Sequence, residues 1–85
     1  MQTVELYTTN TCGFCHAAKR LLTAKGVSFA EVSLNAQPER RAEMMQRANG
    51  GRTVPQIFIG TTHVGGYDDL HALEAAGKLD ALLAG

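Results

Sequence analysis

Cys12 and Cys15 are the only two cysteines of the 85-residue chain, and Gly13 and Phe14 alone separate them. Cysteines at this spacing serve as a structural disulfide, as metal ligands or as a reactive thiol pair. A disulfide between such near neighbours closes a very short loop, and the stabilisation that a disulfide provides grows with loop length. A structural disulfide therefore explains the pair poorly.

A structural zinc site explains the pair no better, because tetrahedral zinc takes four ligands and the pair supplies two. His16 follows Cys15 directly, and His63 and His71 lie farther apart than the histidines of known zinc motifs. We therefore predict no metal site within the single chain, and we interpret the three histidines as surface residues.

A reactive pair remains, and the surrounding pattern supports it. Residues 3–8, "TVELYT", are rich in strand-forming types. A helix with Phe14 on its apolar face is predicted from about Cys12 to Gly26, and residues 27–34 form a second strand. Two strands joined by a helix in this way are expected to be parallel. A C-x-x-C motif beside such a unit is typical of thioredoxin-like redox proteins.

The start of the helix gives the two cysteines different roles. Unpaired backbone N–H groups at a helix N-terminus point towards the Cys12 sulfur and stabilise a thiolate, which is the attacking species in disulfide exchange. Cys15 lies one turn further along the same face, so it can reach Cys12 but should be more buried. We predict that Cys12 is the nucleophile and Cys15 the resolving thiol.

The rest of the chain completes an α/β pattern. We predict a helix over residues 38–48, an antiparallel hairpin formed by 55–60 and 62–65, and a helix capped by Asp68 or Asp69 with further helical turns after it. The order β-α-β-α-β-β-α predicts a four-stranded mixed sheet flanked by helices.

Length and charge narrow the class of protein. We expect one domain over residues 1–85. The eight basic and eight acidic residues cancel, which argues against a nucleic-acid-binding protein and against a polybasic membrane-surface protein. No apolar run is long enough to span a membrane, and the N-terminus lacks the pattern of a secretory signal. We therefore expect a cytoplasmic protein that binds neither nucleic acid nor a membrane.

Three segments carry a resemblance to a known family: "YTTNTCGFCHAAK", "RTVPQIFIG" and "HVGGYDDL". In their order and spacing they resemble the small bacterial dithiol glutaredoxins across essentially the whole chain. The resemblance implies a thioredoxin fold and a monomeric, glutathione-dependent disulfide oxidoreductase. It also implies that the partners are glutathione and proteins that carry glutathione or disulfides, with Cys12 and Cys15 as the catalytic residues.

The resemblance further implies how glutathione is bound. A cis bond before Pro55 would present the Val54 backbone to the cysteinyl part of glutathione. The helix that follows Gly66 would take the γ-glutamyl carboxylate, with Asp68 near the ammonium group, and Arg41 aligns with a contact to the glycyl carboxylate. The implied glutathione-binding residues are Phe14, Arg41, Thr53, Val54, Pro55, Gly66, Tyr67 and Asp68.

Two residues depart from the family pattern: Thr9 stands where a lysine is usual, and Gly13 where a proline is usual. Some relatives without that proline hold a [2Fe–2S] cluster between two chains, each giving one cysteine and each with one glutathione. A cluster bound by Cys12 in a dimer, as a carrier or sensor, is thus the alternative function. A third alternative is a thioredoxin-like protein reduced by a flavoenzyme, and the glutathione-binding segments count against it.

Overall fold

The structure of the chain, a computed structural model, describes residues 1–85. None of its helices combines the length and the apolar character that crossing a membrane requires. The elements in chain order are β1 (Val4–Thr8), α1 (Gly13–Ala24), β2 (Ala30–Ser33), a 3-10 turn (Pro38–Arg40) that leads into α2 (Arg41–Arg47), β3 (Gln56–Ile59), β4 (Thr62–Gly65), α3 (Tyr67–Ala75) and α4 (Leu79–Ala84).

The four strands form one mixed sheet in the order β2-β1-β3-β4. β1 and β2 are parallel and are joined by α1, whereas β3 is antiparallel to both β1 and β4. The predicted α/β thioredoxin fold and its hairpin are therefore confirmed. Tyr7, near the end of β1, pairs with Gln56, the first residue of β3. The segment that follows β1 therefore lies beside the segment that precedes β3, at one end of the strands.

One face of the sheet is covered by α1, α3 and α4. Leu6 and Ile57 of the sheet belong to a buried apolar cluster with Leu22, Leu70 and Leu79 from the three helices. Every one of these side chains is fully buried. This face anchors α1 and α3, the two helices whose N-termini border the candidate site.

The opposite face lies under α2 and is partly polar. Strand alternation turns Tyr7 and Phe58 to this side, where they pack with Met44. The Tyr7 hydroxyl donates to Glu43 at 2.5 Å and accepts from Arg47 at 2.9 Å. The polar contacts tie α2 to the centre of the sheet.

Some predicted boundaries were wrong. β2 covers Ala30–Ser33 rather than 27–34, because only these residues pair with β1. The predicted helix over 38–48 starts as a 3-10 turn. Neither Asp68 nor Asp69 is the N-cap of α3: Gly66 is, and the Asp69 carboxylate accepts the Gly66 N–H at 3.0 Å from inside the first turn.

Candidate active site

Cys12 is the N-cap of α1. Its extended backbone turns the side chain back over the first turn, where the sulfur accepts the Cys15 N–H at 3.0 Å. The Cys12 thiol also donates to the Val54 carbonyl at 3.5 Å across the sheet edge. Cys12 is partly exposed, and the helix N-terminus and the loop before β3 hold its side chain in place.

Cys15 is fully buried, deeper than Cys12, as its place in the helix predicts. Burial, followed by the hydrogen bond with the Cys12 side chain, raises the pKa of the Cys15 thiol to about 12. A backbone hydrogen bond from Thr9 and the charge of Lys19 act in the opposite direction and are weaker. Cys15 is therefore a protonated thiol at neutral pH.

A groove of about 450 Å³ lies beside Cys12, between the loop before β3 and the start of α3. All of the predicted glutathione-binding residues except one line this groove: Phe14, Thr53, Val54, Pro55, Gly66, Tyr67 and Asp68. The exception is Arg41, whose Nη1 donates to the Arg52 carbonyl at 2.9 Å just outside the groove wall. A guanidinium has five N–H donors, so Arg41 retains donors beside Thr53.

The loop before β3 presents backbone groups to the groove. The Val54–Pro55 bond is cis, as the family resemblance implies. The Val54 carbonyl faces Cys12, and the Val54 N–H makes no hydrogen bond within the chain. One strand-like donor and one acceptor thus lie next to Cys12.

The start of α3 forms the far end of the groove. Gly65 has a φ of 113°, a left-handed conformation that suits glycine, and a Cβ there would collide with the Asp69 carboxylate. The tight turn brings the first amides of α3, at Tyr67 and Asp68, to the groove. The first N–H groups of a helix have no hydrogen-bond partner within that helix. Such a helix N-terminus attracts anions.

Two aromatic rings border the groove. Phe14 was expected on the apolar face of α1, but 62% of its surface is exposed, because the first turn of the helix overhangs the groove. Its ring stacks on Tyr67 of α3 at 6.2 Å between centroids. The pair joins the N-termini of α1 and α3 across the entrance.

Four further residues line the groove that were not predicted to bind glutathione: Gln56, His63, Gly65 and Asp69. His63, predicted to be a surface residue, is half-buried in the groove wall, and its Nε2 lies 2.7 Å from Gln56 Oε1. The one available signal was Gln56 itself, a polar residue within the otherwise apolar strand "QIFI". A buried amide requires partners, and His63 is one of them.

Comparisons with known proteins agree with this geometry. The glutaredoxin family model matches residues 4–64. A glutaredoxin of Pseudomonas aeruginosa is 60% identical over 84 residues, covering 99% of this chain and 99% of that protein. The solution structure of glutaredoxin from Brucella melitensis is 55% identical with a TM-score of 0.83, covering 98% of this chain and 89% of that one. A crystal structure of a buckwheat glutaredoxin–glutathione complex is 29% identical with a TM-score of 0.88, covering 98% and 77% respectively.

A family match over most of the chain, a relative of such high identity and a shared fold all lead to one assignment. The partly exposed cysteine at a helix N-terminus and the buried second cysteine fit the same chemistry. The chain belongs to the glutaredoxin family of thiol–disulfide oxidoreductases.

Proposed function

We propose that the chain is a glutathione-dependent disulfide oxidoreductase in which Cys12 is the nucleophile and Cys15 the resolving thiol. The observation that carries this proposal is that the two cysteines beside the groove differ in exposure and in protonation. Cys12 is partly exposed and accepts a backbone N–H, whereas Cys15 is buried and keeps its proton. Because a thiolate attacks disulfides and a protonated thiol does not, the two cysteines act in turn.

The groove offers a partner to each polar part of glutathione. The free N–H and the carbonyl of Val54 match the backbone of the cysteinyl residue. The first amides of α3 match the γ-glutamyl carboxylate, and the exposed Asp68 carboxylate matches the ammonium group. The remaining donors of Arg41 are the proposed partner of the glycyl carboxylate. A relative of the same fold is a glutathione complex, which supports this substrate.

The proposed reaction with a protein–glutathione disulfide has two halves. The Cys12 thiolate attacks the glutathione sulfur, so that a Cys12–glutathione disulfide forms and the protein thiolate leaves and takes a proton from water. The thiolate of a second glutathione then attacks the bound glutathione sulfur. The Cys12 thiolate is released and oxidised glutathione departs. Cys15 takes no part in either half.

Protein disulfides require the second cysteine. Cys12 attacks one sulfur of the target disulfide and forms a mixed disulfide with the protein. Cys15 then loses its proton and attacks the Cys12 sulfur, which releases the reduced protein and leaves a Cys12–Cys15 disulfide. Two glutathione molecules reduce that bond. The buried, high-pKa thiol of Cys15 makes its deprotonation the demanding part of this route.

The proposed setting follows from the reductant. We place the reaction in the cytoplasm, where glutathione keeps thiols reduced. The proposed partners are glutathione and proteins that carry glutathione or a disulfide, and the chain acts on them as a monomer.

The test is the initial rate at which the protein reduces a glutathionylated peptide, with glutathione recycled by glutathione reductase and NADPH. We expect turnover by the native protein and none above the uncatalysed rate for Cys12→Ser, because a serine hydroxyl is not ionised at neutral pH. Turnover that survives Cys12→Ser, or a folded native protein without turnover, would contradict the proposal.

A [2Fe–2S] cluster held between two chains is the second candidate function, and the surroundings of Gly13 favour it. A Cβ at Gly13 would have no atom within 4 Å, so a second chain has room to approach Cys12. One chain alone has no group of three metal-ligating side chains, and the proposed ligands are one Cys12 and one glutathione from each side. Visible absorbance and a dimer mass after anaerobic reconstitution would support it, particularly if Gly13→Pro weakened both. A colourless monomer would contradict it.

A further inference from the structure

Gln56 is a polar side chain buried within the wall of the groove, with 5% of its surface exposed. Its Oε1 lies 2.7 Å from His63 Nε2, and its Nε2 donates to Thr53 Oγ1 at 3.5 Å. The amide also packs against the loop before β3, since a Cβ at Gly51 would lie 3.0 Å from Gln56 Nε2. The Gln56 amide therefore supports the segment that carries Thr53.

His63 is held from the opposite side by the sheet. It pairs with Phe58 across the β3–β4 hairpin, and the two rings stack at 5.0 Å between centroids. The Arg47 guanidinium covers Phe58 at 4.1 Å from its ring centroid. The His63 ring thus has a fixed plane and a short hydrogen bond to Gln56, although it makes no contact with either cysteine through a hydrogen bond.

The loop that this amide supports has little other structure. Between the end of α2 and the start of β3 the chain forms no helix or strand, and its outer side is fixed by the Arg41 contact with the Arg52 carbonyl. Its inner side rests on Gln56. This loop presents Val54, whose carbonyl lies 3.5 Å from the Cys12 sulfur.

We propose that His63 is a positioning residue for glutathione: by hydrogen-bonding the Gln56 amide it fixes Thr53 and Val54 in the place where they receive the substrate. The inference rests on the proposed glutathione-dependent function. It extends that function to a residue outside the predicted glutathione-binding set. In this role His63 determines substrate binding and leaves the sulfur chemistry of Cys12 unchanged.

The test uses two substitutions that separate the ring from its hydrogen bond. His63→Phe keeps stacking on Phe58 and removes the donor to Gln56, whereas His63→Gln keeps a donor of similar reach. A typical net hydrogen-bond contribution predicts that His63→Phe raises KM for the glutathionylated peptide about three- to tenfold and changes kcat by less than about twofold. We expect His63→Gln to recover part of that loss. Thr23→Phe is the control, because it adds the same ring at an exposed position of α1 that does not line the groove.

A second readout does not depend on turnover. NMR relaxation of the free protein should show lower backbone order at Thr53 and Val54 in His63→Phe, with Thr23→Phe unchanged and other loops unaffected. The proposal requires both the KM rise and the local loss of order, and the absence of either overturns it, as does an equal KM rise in Thr23→Phe. If the native protein failed to use glutathione at all, the proposed function would fall, and the relaxation data alone would decide whether His63 positions this loop.

Discussion

The groove beside Cys12 and the polar network beneath α2 lie on the same sheet. They differ in whether their hydrogen-bonding groups have partners within the chain. Beneath α2, Tyr7 bonds to Glu43 and Arg47, and Arg47 pairs with Glu5 at 3.0 Å. In the groove, the Val54 N–H has no partner and Cys12 is partly exposed. The first region satisfies its polar groups within the chain, and the second keeps them for a ligand.

We infer from this contrast that the network beneath α2 contributes mainly to stability and the groove mainly to reactivity. A buried polar group without a partner is destabilising, so the network beneath α2 is closed. Unpaired groups at the surface carry a smaller penalty because water reaches them, and they become binding groups when a substrate replaces that water. Substitutions in the two regions should therefore have separable effects on unfolding and on turnover.

The largest expected effect lies within the active site itself. Cys15→Ser should strongly impair the reduction of a protein disulfide, because the chain then carries no resolving thiol of its own. The same variant should keep deglutathionylation within about twofold of the native rate, since that route uses Cys12 alone. Parallel assays on a disulfide-bearing protein and on a glutathionylated peptide measure this. If both activities disappeared together in a folded variant, Cys15 would have a role beyond resolution.

The next effect belongs to the closed network. Tyr7→Phe removes the hydroxyl that joins Glu43 to Arg47 and should lower the free energy of unfolding by about 1–2 kcal/mol. Turnover of the glutathionylated peptide should stay close to the native value, because Tyr7 is fully buried and does not line the groove. Urea denaturation and the coupled assay give the two quantities. A large loss of turnover without a loss of stability would contradict the claim that the network beneath α2 affects stability and not turnover.

Acid should weaken the same network in a defined pH window. The hydrogen bond from Arg40, followed by that from Tyr7, lowers the pKa of the Glu43 carboxyl from 4.5 to about 2. A carboxyl with a lowered pKa in the folded state stabilises the protein above its unfolded pKa and loses that effect as pH falls through its folded pKa. The Tm difference between the native protein and Glu43→Gln should therefore shrink between pH 4.5 and about 2. A difference that stayed constant there would exclude Glu43 as the titrating group.

The smallest effect sharpens the description of the groove. Thr9→Lys introduces the cation that the family pattern places near the first cysteine, and we expect kcat/KM for the glutathionylated peptide to rise about two- to threefold at low salt. Screening should reduce the gain as ionic strength increases. Thr23→Lys, on the exposed side of α1, is the matched control. An equal gain in the control would mean that net charge, and not the position of the cation, is responsible.

The sequence predicted what depends on local pattern. The order of strands and helices, the parallel β1–β2 pair and the hairpin follow from apolar periodicity and from residues such as Gly26 and Gly60, which both have positive φ in the structure. The place of Cys12 at the start of α1 also follows from the chain around it. Each of these features is determined by residues that are close in sequence.

Features that depend on contacts between distant segments were missed. The partners of Gln56 lie on the preceding loop and on β4, and His63 carries no local mark of its place beneath the groove. Arg41 aligns with a family contact, but its guanidinium rests on the Arg52 carbonyl because helix and loop happen to meet there. Phe14 fits a helical apolar stripe, and only the fold shows that this turn overhangs the groove.

The central claim is that the groove holds the glutathione part of a mixed disulfide against Cys12 while the polypeptide leaves. The most direct measurement is the intact mass of Cys15→Ser after brief mixing with a glutathionylated peptide and acid quenching. We predict that Cys12 gains the mass of glutathione and that free peptide thiol appears in equal amount. A Cys12 adduct with the mass of the peptide would contradict the claim, because the polypeptide and not glutathione would then occupy the site.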